Sequence, residues 1–136
     1  MKHFIIVFLS ALLLIAPMSS QAKTVPLNDH IKATFVVAPG KARTMDTIRE
    51  AIAAAGISHG WVAVSEQPGE MTLRNDVRGL HTVVVKVSYD TAGMQVDYVT
   101  SENLNYNLRS GVAYIHPKYN MWVDLLIQGV TSRLSF

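Results

Sequence analysis

The chain has 136 residues, and its 12 Lys and Arg against 10 Asp and Glu leave a formal net charge of only +2. This near balance, with no run of basic residues, excludes the electrostatic footprint of a nucleic-acid partner. The absence of cysteine excludes a disulfide framework, a thiolate metal site and an acylated cysteine, so the fold has to be held by packing alone.

Residues 1–22 read as a secretory signal peptide. Lys2 supplies a basic start, Phe4 to Ala16 is apolar except for Ser10, and Ser19, Ser20 and Gln21 form a polar exit. The apolar run of about 13 residues is too short to cross about 30 Å of hydrocarbon. Ser20 and Ala22 put small side chains at the two positions a signal peptidase reads, so cleavage is expected after Ala22 and leaves no stable membrane anchor. What remains suits one domain with one core, not two.

Residues 23–30, with Pro26 and several polar side chains, are expected as a flexible leader to a single α+β domain over residues 31–136. Ile31 to Val37 alternates loosely and predicts a first strand, stopped by Pro39-Gly40. The period then changes. Met45, Ile48, Ala51, Ile52 and Ala55 recur at helical spacing behind Thr44 as N-cap, and Gly56 predicts the helix stop.

Four strand segments follow: Trp61 to Glu66, Met71 to Arg74, His81 to Tyr89 and Met94 to Thr100. Pro68-Gly69 and Asp90-Thr91-Ala92-Gly93 supply turns. The last two strands permit a test of register. With Tyr89 facing Met94, Val87 meets Val96 and Val85 meets Tyr98 on one face, while Lys86 meets Asp97 and Ser88 meets Gln95 on the other. A slip of one residue would mix the faces.

His116-Pro117 opens a final helix to about Ser132, with Trp122, Val123, Leu125, Leu126, Ile127, Val130 and Leu134 as a wide apolar face. The order β-α-β-β-β-β-α predicts an α+β fold, an antiparallel four- to five-stranded meander sheet with two helices packed on one face. A helix-grip arrangement, in which the sheet curves around the last helix, is the close variant.

Polar and aromatic residues are densest between the last strand and the last helix: Ser101, Asn103, Asn105, Tyr106, His116, Tyr119, Asn120 and Trp122. Together with Gly60-Trp61, Gly69, Arg78-x-x-His81, Val85-x-Val87-x-Tyr89 and Tyr98, the motifs Ser101-x-Asn103-Leu104-x-Tyr106 and Ile115-His116-x-x-Tyr119-Asn120-x-Trp122-Val123 resemble those of a family of small bacterial envelope proteins, periplasmic or lipoprotein. The resemblance covers roughly Asp46 to Leu134 and implies a location, not an activity. Many family members are lipoproteins, whereas this chain has no cysteine behind its signal, so the free periplasmic or secreted state is expected.

Asn103, Tyr106, His116, Tyr119, Asn120 and Trp122 have a structural and a functional reading. They cap loop backbone, open the last helix and seal the edge of the core, or they line a small pocket for a polar or anionic ligand beside the helix N-terminus. The structural reading is the one expected. His30, His59, His81 and His116 lack the i, i+4 or His-x-Glu spacing of a metal site, so no metal is predicted, and His81 is expected to bond a loop carbonyl. Arg74 and Arg78 flank a polar turn and are expected to be solvated. No Gly-rich phosphate loop, cofactor motif or nucleophile elbow occurs. The expectation is therefore a non-catalytic envelope module that binds a protein, surface polymer or lipid. The alternative is a small-ligand carrier or sensor with its site between the sheet and the C-terminal helix.

Cleavage after Ala22 gives a mature chain beginning at Lys23, and intact-mass spectrometry of the exported protein checks it; a retained Met1 in the envelope fraction would establish an anchor instead.

Overall fold

The computed structural model describes residues 23–36, 40 and 43–135, so the expected signal peptide lies outside the described residues. In chain order the elements are β1 (Val25–Pro26), β2 (Ile31–Thr34), α1 (Met45–Ser58), β3 (Trp61–Gln67), β4 (Glu70–Val77), β5 (His81–Tyr89), β6 (Gly93–Glu102), β7 (Asn107–Arg109), β8 (Val112–Ile115) and α2 (Pro117–Leu134). The α+β class holds. An antiparallel five-stranded sheet runs β2-β6-β5-β4-β3, the expected meander with the first strand added outside β6.

The register of the β5–β6 hairpin is the one read from its two faces. Tyr89 pairs with Met94, Val87 with Val96 and Val85 with Tyr98, while Lys86 pairs with Asp97 and Ser88 with Gln95. Val85, Val87 and Val96 are buried, but Tyr98, expected to be buried with them, is only half-buried. The pairing slips between Val84 and Val85, so the strand is bulged beside Tyr98. The turn is set by Asp90, whose Oδ1 accepts from the N–H groups of Ala92 at 2.7 Å and Gly93 at 2.9 Å. Gly93 also allows β2 to close on β6, because a Cβ there would lie 2.6 Å from the Ala33 carbonyl oxygen.

Both helices share one core with the inner face of this sheet. Ile48, Ile52 and Ala55 of α1 and Tyr119, Val123, Leu126 and Val130 of α2 are buried with Trp61, Met71, Leu73, Val83, Val85 and Val87. The α2 stripe at 119, 123, 126, 130 and 134 keeps helical spacing. Each aliphatic side chain fully buried in it contributes about 1.5–3 kcal/mol. Leu125, assigned to this face from the sequence, points off the stripe and is exposed, and Trp122 and Ile127 are half-buried at its margin.

Three expectations need correction. Gly56 does not stop α1. The helix runs on to Ser58, and Gly56 is buried where a Cβ would meet the Cβ of Trp61 at 3.4 Å; the left-handed residue beyond the helix is Gly60, at φ +85°. It is a packing glycine, a role that local sequence does not separate from a C-terminal stop. Arg74 lies within β4 rather than beside a turn, and its guanidinium pairs with Asp76 at 3.1 Å. Finally, residues 23–30 are not a free leader. Val25 and Pro26 pair with Ile115 and Tyr114 in a second, three-stranded sheet of order β1-β8-β7.

That small sheet was invisible in the sequence reading. Its hairpin turns on Ser110 and Gly111, at φ +51° and +78°, the two consecutive left-handed residues of a tight hairpin.

The register makes a stability test. Val85 is fully buried, so Val85→Asp should cost several kcal/mol as an unpaired buried charge, whereas Lys86→Ala on the outer face should cost under about 1 kcal/mol. Urea denaturation of the two variants measures the difference, and equal losses would contradict the face assignment.

Candidate functional site

The polar and aromatic cluster sits where β6, the 103–106 loop, β8 and the first turn of α2 meet. Its residues are held by local chemistry. Asn103 and Asn105 are left-handed, at φ +57° and +54°, a conformation Asn tolerates better than most residues. The Asn103 side-chain amide donates to the Leu80 carbonyl at 2.7 Å, and its own carbonyl accepts from His81 Nδ1 at 2.8 Å. The expected bond from His81 to a loop carbonyl is therefore present. Asn103 fastens its loop to the β4–β5 turn, not to α2.

His116 is the N-cap of α2. Its Nδ1 accepts from the Lys118 N–H at 3.1 Å, which satisfies one of the free donors of the first turn, and Pro117 follows without losing a bond. The His116 N–H donates to the Leu104 carbonyl at 2.8 Å, so the helix start is tied to the loop through backbone. Leu104 itself is buried.

Three tyrosines form the aromatic part. Tyr119 is fully buried, and its ring meets the edge of Tyr98 at 5.6 Å between centroids. Tyr98 in turn stacks on Tyr106 at 4.8 Å with 11° between planes. The Tyr98 hydroxyl bonds the Ser101 hydroxyl at 2.7 Å. Burial pushes the Tyr119 phenol well above its ordinary value, with Asp29, Tyr98 and Asp97 adding in the same direction. Tyr98 is raised by the same desolvation, opposed by its bond to Ser101. Neither phenol is activated for proton transfer near neutral pH. Tyr106, by contrast, keeps 41% of its surface exposed.

Asn120 reaches back to the N-terminal segment. Its Oδ1 accepts from the Asn28 N–H at 3.0 Å and its Nδ2 donates to the Pro26 carbonyl at 3.1 Å. The Leu27 N–H between them donates to Ala113 at 2.9 Å. The side-chain amide thus supplies the pair of bonds a neighbouring strand would otherwise make, and it holds residues 26–28 against α2. Trp122 packs half-buried on the core margin.

Of the six residues singled out, Tyr106, His116 and Tyr119 come together around the helix start. Asn103 and Asn120 face outward to other segments, and Trp122 contributes packing. Among the described residues, none of the six lines the three clefts described next. The space between sheet and C-terminal helix, where a carried ligand would sit, is filled by Tyr119, Val123, Leu126, Val130 and their sheet partners. Open clefts lie elsewhere among the described residues, including one beside β2 and the β5–β6 turn lined by Lys32, Thr34, Ser88, Asp90 and Gln95, one between the start of α1 and Tyr89 lined by Met45, Asp46, Arg49 and Glu66, and one on β3 and β4 lined by Gly60, Val62, Val64, Arg74 and Asp76.

One group was missed by the sequence reading. The chain between β1 and β2 crosses the outer edge of β6, where the Asp29 carboxylate accepts from the Tyr98 N–H at 2.9 Å and the His30 N–H at 2.8 Å. His30 Nδ1 lies 2.6 Å from Asp97 Oδ1 and its Nε2 lies 3.7 Å from Asp29 Oδ2. The bond that the ring makes to Asp97, with the Asp29 charge beside it, raises the imidazole above its ordinary value. Partial burial pushes Asp97 up, but the bonds from Gln95 and His30 together with the His30 and Lys86 charges hold it below its ordinary value on balance. Donors this far apart in sequence give no spacing signal. Only the pairing of β2 with β6 brings them together.

No family model, curated protein or solved structure matches the chain.

Replacing Asn120 by Ala removes both bonds to the 26–28 segment. A loss of about 1–2 kcal/mol is expected, since water can reach the freed groups, together with faster amide hydrogen exchange at Leu27 and Asn28 but not at Val85. Exchange measured by NMR checks this; a uniform rise across the domain would mean that Asn120 supports the core rather than the strap.

Proposed function

We propose that the protein is an exported, non-catalytic module of the cell envelope that binds another protein through the loop at Tyr106 and the β7–β8 hairpin. The observation that carries this reading is the exposure of apolar and aromatic side chains within that short stretch: Leu108 at 65%, Val112 at 48% and Tyr106 at 41%. By the hairpin register Leu108 stands on the Ala113 face and Val112 on the opposite one, so apolar groups are offered on both faces of the tip.

Arg109 lies over the ring of Tyr114 at 4.9 Å, which adds a cation held in place by an aromatic face. Aromatic and Arg side chains beside apolar ones, ringed by Asn105, Asn107 and Ser110, match the composition of protein interfaces better than that of a purely polar solvated loop. Tyr106 is also pre-positioned. Its stack on Tyr98 limits the freedom lost on binding. Among the described residues no helix is long and apolar enough to cross a membrane.

The function test compares the parent with Tyr106→Ala and Leu108→Ser in photo-crosslinking from residue 112 in intact cells, alongside thermal melts. The expected result is a discrete crosslinked protein that both variants reduce while melting temperatures stay within a few degrees. Crosslinks to lipid or glycan alone would replace the protein partner by those classes, and an unchanged pattern in both variants would overturn the reading.

A further inference from the structure

We propose that Asp29, His30 and Asp97 form a binding site for Zn²⁺, held by one imidazole nitrogen and two carboxylate oxygens and completed by water. The donor atoms lie within 4.8 Å of one another and come from two separate parts of the chain, the crossing before β2 and the strand β6. Zinc bonds of about 2.0–2.2 Å set ligand atoms about 3.4 Å apart in a tetrahedron, so the donors, within 4.8 Å of one another, need shifts of only about 1 Å, the 2.6 Å His30–Asp97 pair opening and the widest pair closing. The exposed position of His30 leaves room for that adjustment and for water in the open positions.

The donor set selects the ion. An imidazole with two carboxylates favours zinc-like ions over magnesium or calcium, which prefer oxygen alone. Each carboxylate is also oriented from outside the set of donors. The Tyr98 N–H fixes one oxygen of Asp29 and leaves the other turned toward the ring, and the Gln95 amide holds Asp97 at 2.9 Å.

The ring stands between the two carboxylates, with Nδ1 2.6 Å from Asp97 Oδ1 and Nε2 3.7 Å from Asp29 Oδ2. A metal competes with the proton for an imidazole nitrogen, so binding should weaken as pH falls. The facing charges are Asp29 on the crossing, Asp97 on β6, Lys86 opposite Asp97 on β5 and Lys32 opposite Gln95 on β2. The two lysines weaken the site relative to a closed four-ligand centre, so a micromolar rather than a tighter affinity is expected.

The experiment titrates the full mature chain with Zn²⁺ alone by calorimetry at pH 7.5 and pH 6, and follows the histidine ring signals by NMR. One saturable site is expected, weaker at the lower pH, with the His30 ring moving first. His30→Ala and Asp97→Asn should each weaken binding at least about tenfold with unchanged far-UV circular dichroism, while His59→Ala leaves it as in the parent. Non-saturable binding, first movement of the His59, His81 or His116 rings, or parent-like affinity in the His30 and Asp97 variants would overturn the site. The NMR result on the parent decides the matter even if a variant folds poorly.

Discussion

The contact on which the rest of the structure depends is the burial of Tyr119 against Tyr98. Tyr119 lies in the first turn of α2, and its complete burial fixes where the helix begins to lie on the sheet. From there the stripe of Val123, Leu126, Val130 and Leu134 follows at helical spacing, and α1 is held between α2 and β3. Moving Tyr119 by one helical residue would rotate this stripe by about 100°, taking Val123 and Leu126 off the core. The N-cap of His116 and its backbone bond to Leu104 specify the start of the helix, and so they specify the start of that stripe.

The five-stranded sheet was largely legible because its inner strands obey a period of two on both faces at once. Val85, Val87, Tyr98 and Val96 are apolar where Lys86, Asp97, Ser88 and Gln95 are polar, and only one register respects both sets. The small sheet had no such signal. A two-residue strand such as β1 has no period, and β7 and β8 contain three and four residues. Their one readable mark was Ser110-Gly111, a pair suited to a two-residue hairpin turn.

The site was legible in its residues more than in its contacts. That His116 caps α2 follows from its place before Pro117, and that Tyr119 seals the core follows from its place in the first turn. The partners of Asn103 and Asn120 do not follow, because each reaches a segment distant in sequence: Asn103 bonds Leu80, and Asn120 bonds Pro26 and Asn28. An amide side chain suits both roles because it carries a donor and an acceptor side by side, as a peptide group does. Local reading supplies the capacity for such bonds and leaves their address to the tertiary fold.

The strap over residues 25–34 joins these points. It leaves the small sheet at β1, is clasped by Asn120, is bonded to the Tyr98 N–H through Asp29, and enters the large sheet as β2. Because Tyr98 is also the ring on which Tyr106 stacks, the strap, the exposed tyrosine and the buried Tyr119 all bear on one residue of β6. The bulge between Val84 and Val85 lies beside it, and β2 stops pairing at Val96, so the Tyr98 N–H would face outward without a strand partner. The Asp29 carboxylate meets that need. A carboxylate brought in for a backbone donor then stands beside Asp97 and draws His30 between them, which is how an interruption in the strand ladder generates a charged cluster on an otherwise mixed and nearly neutral surface.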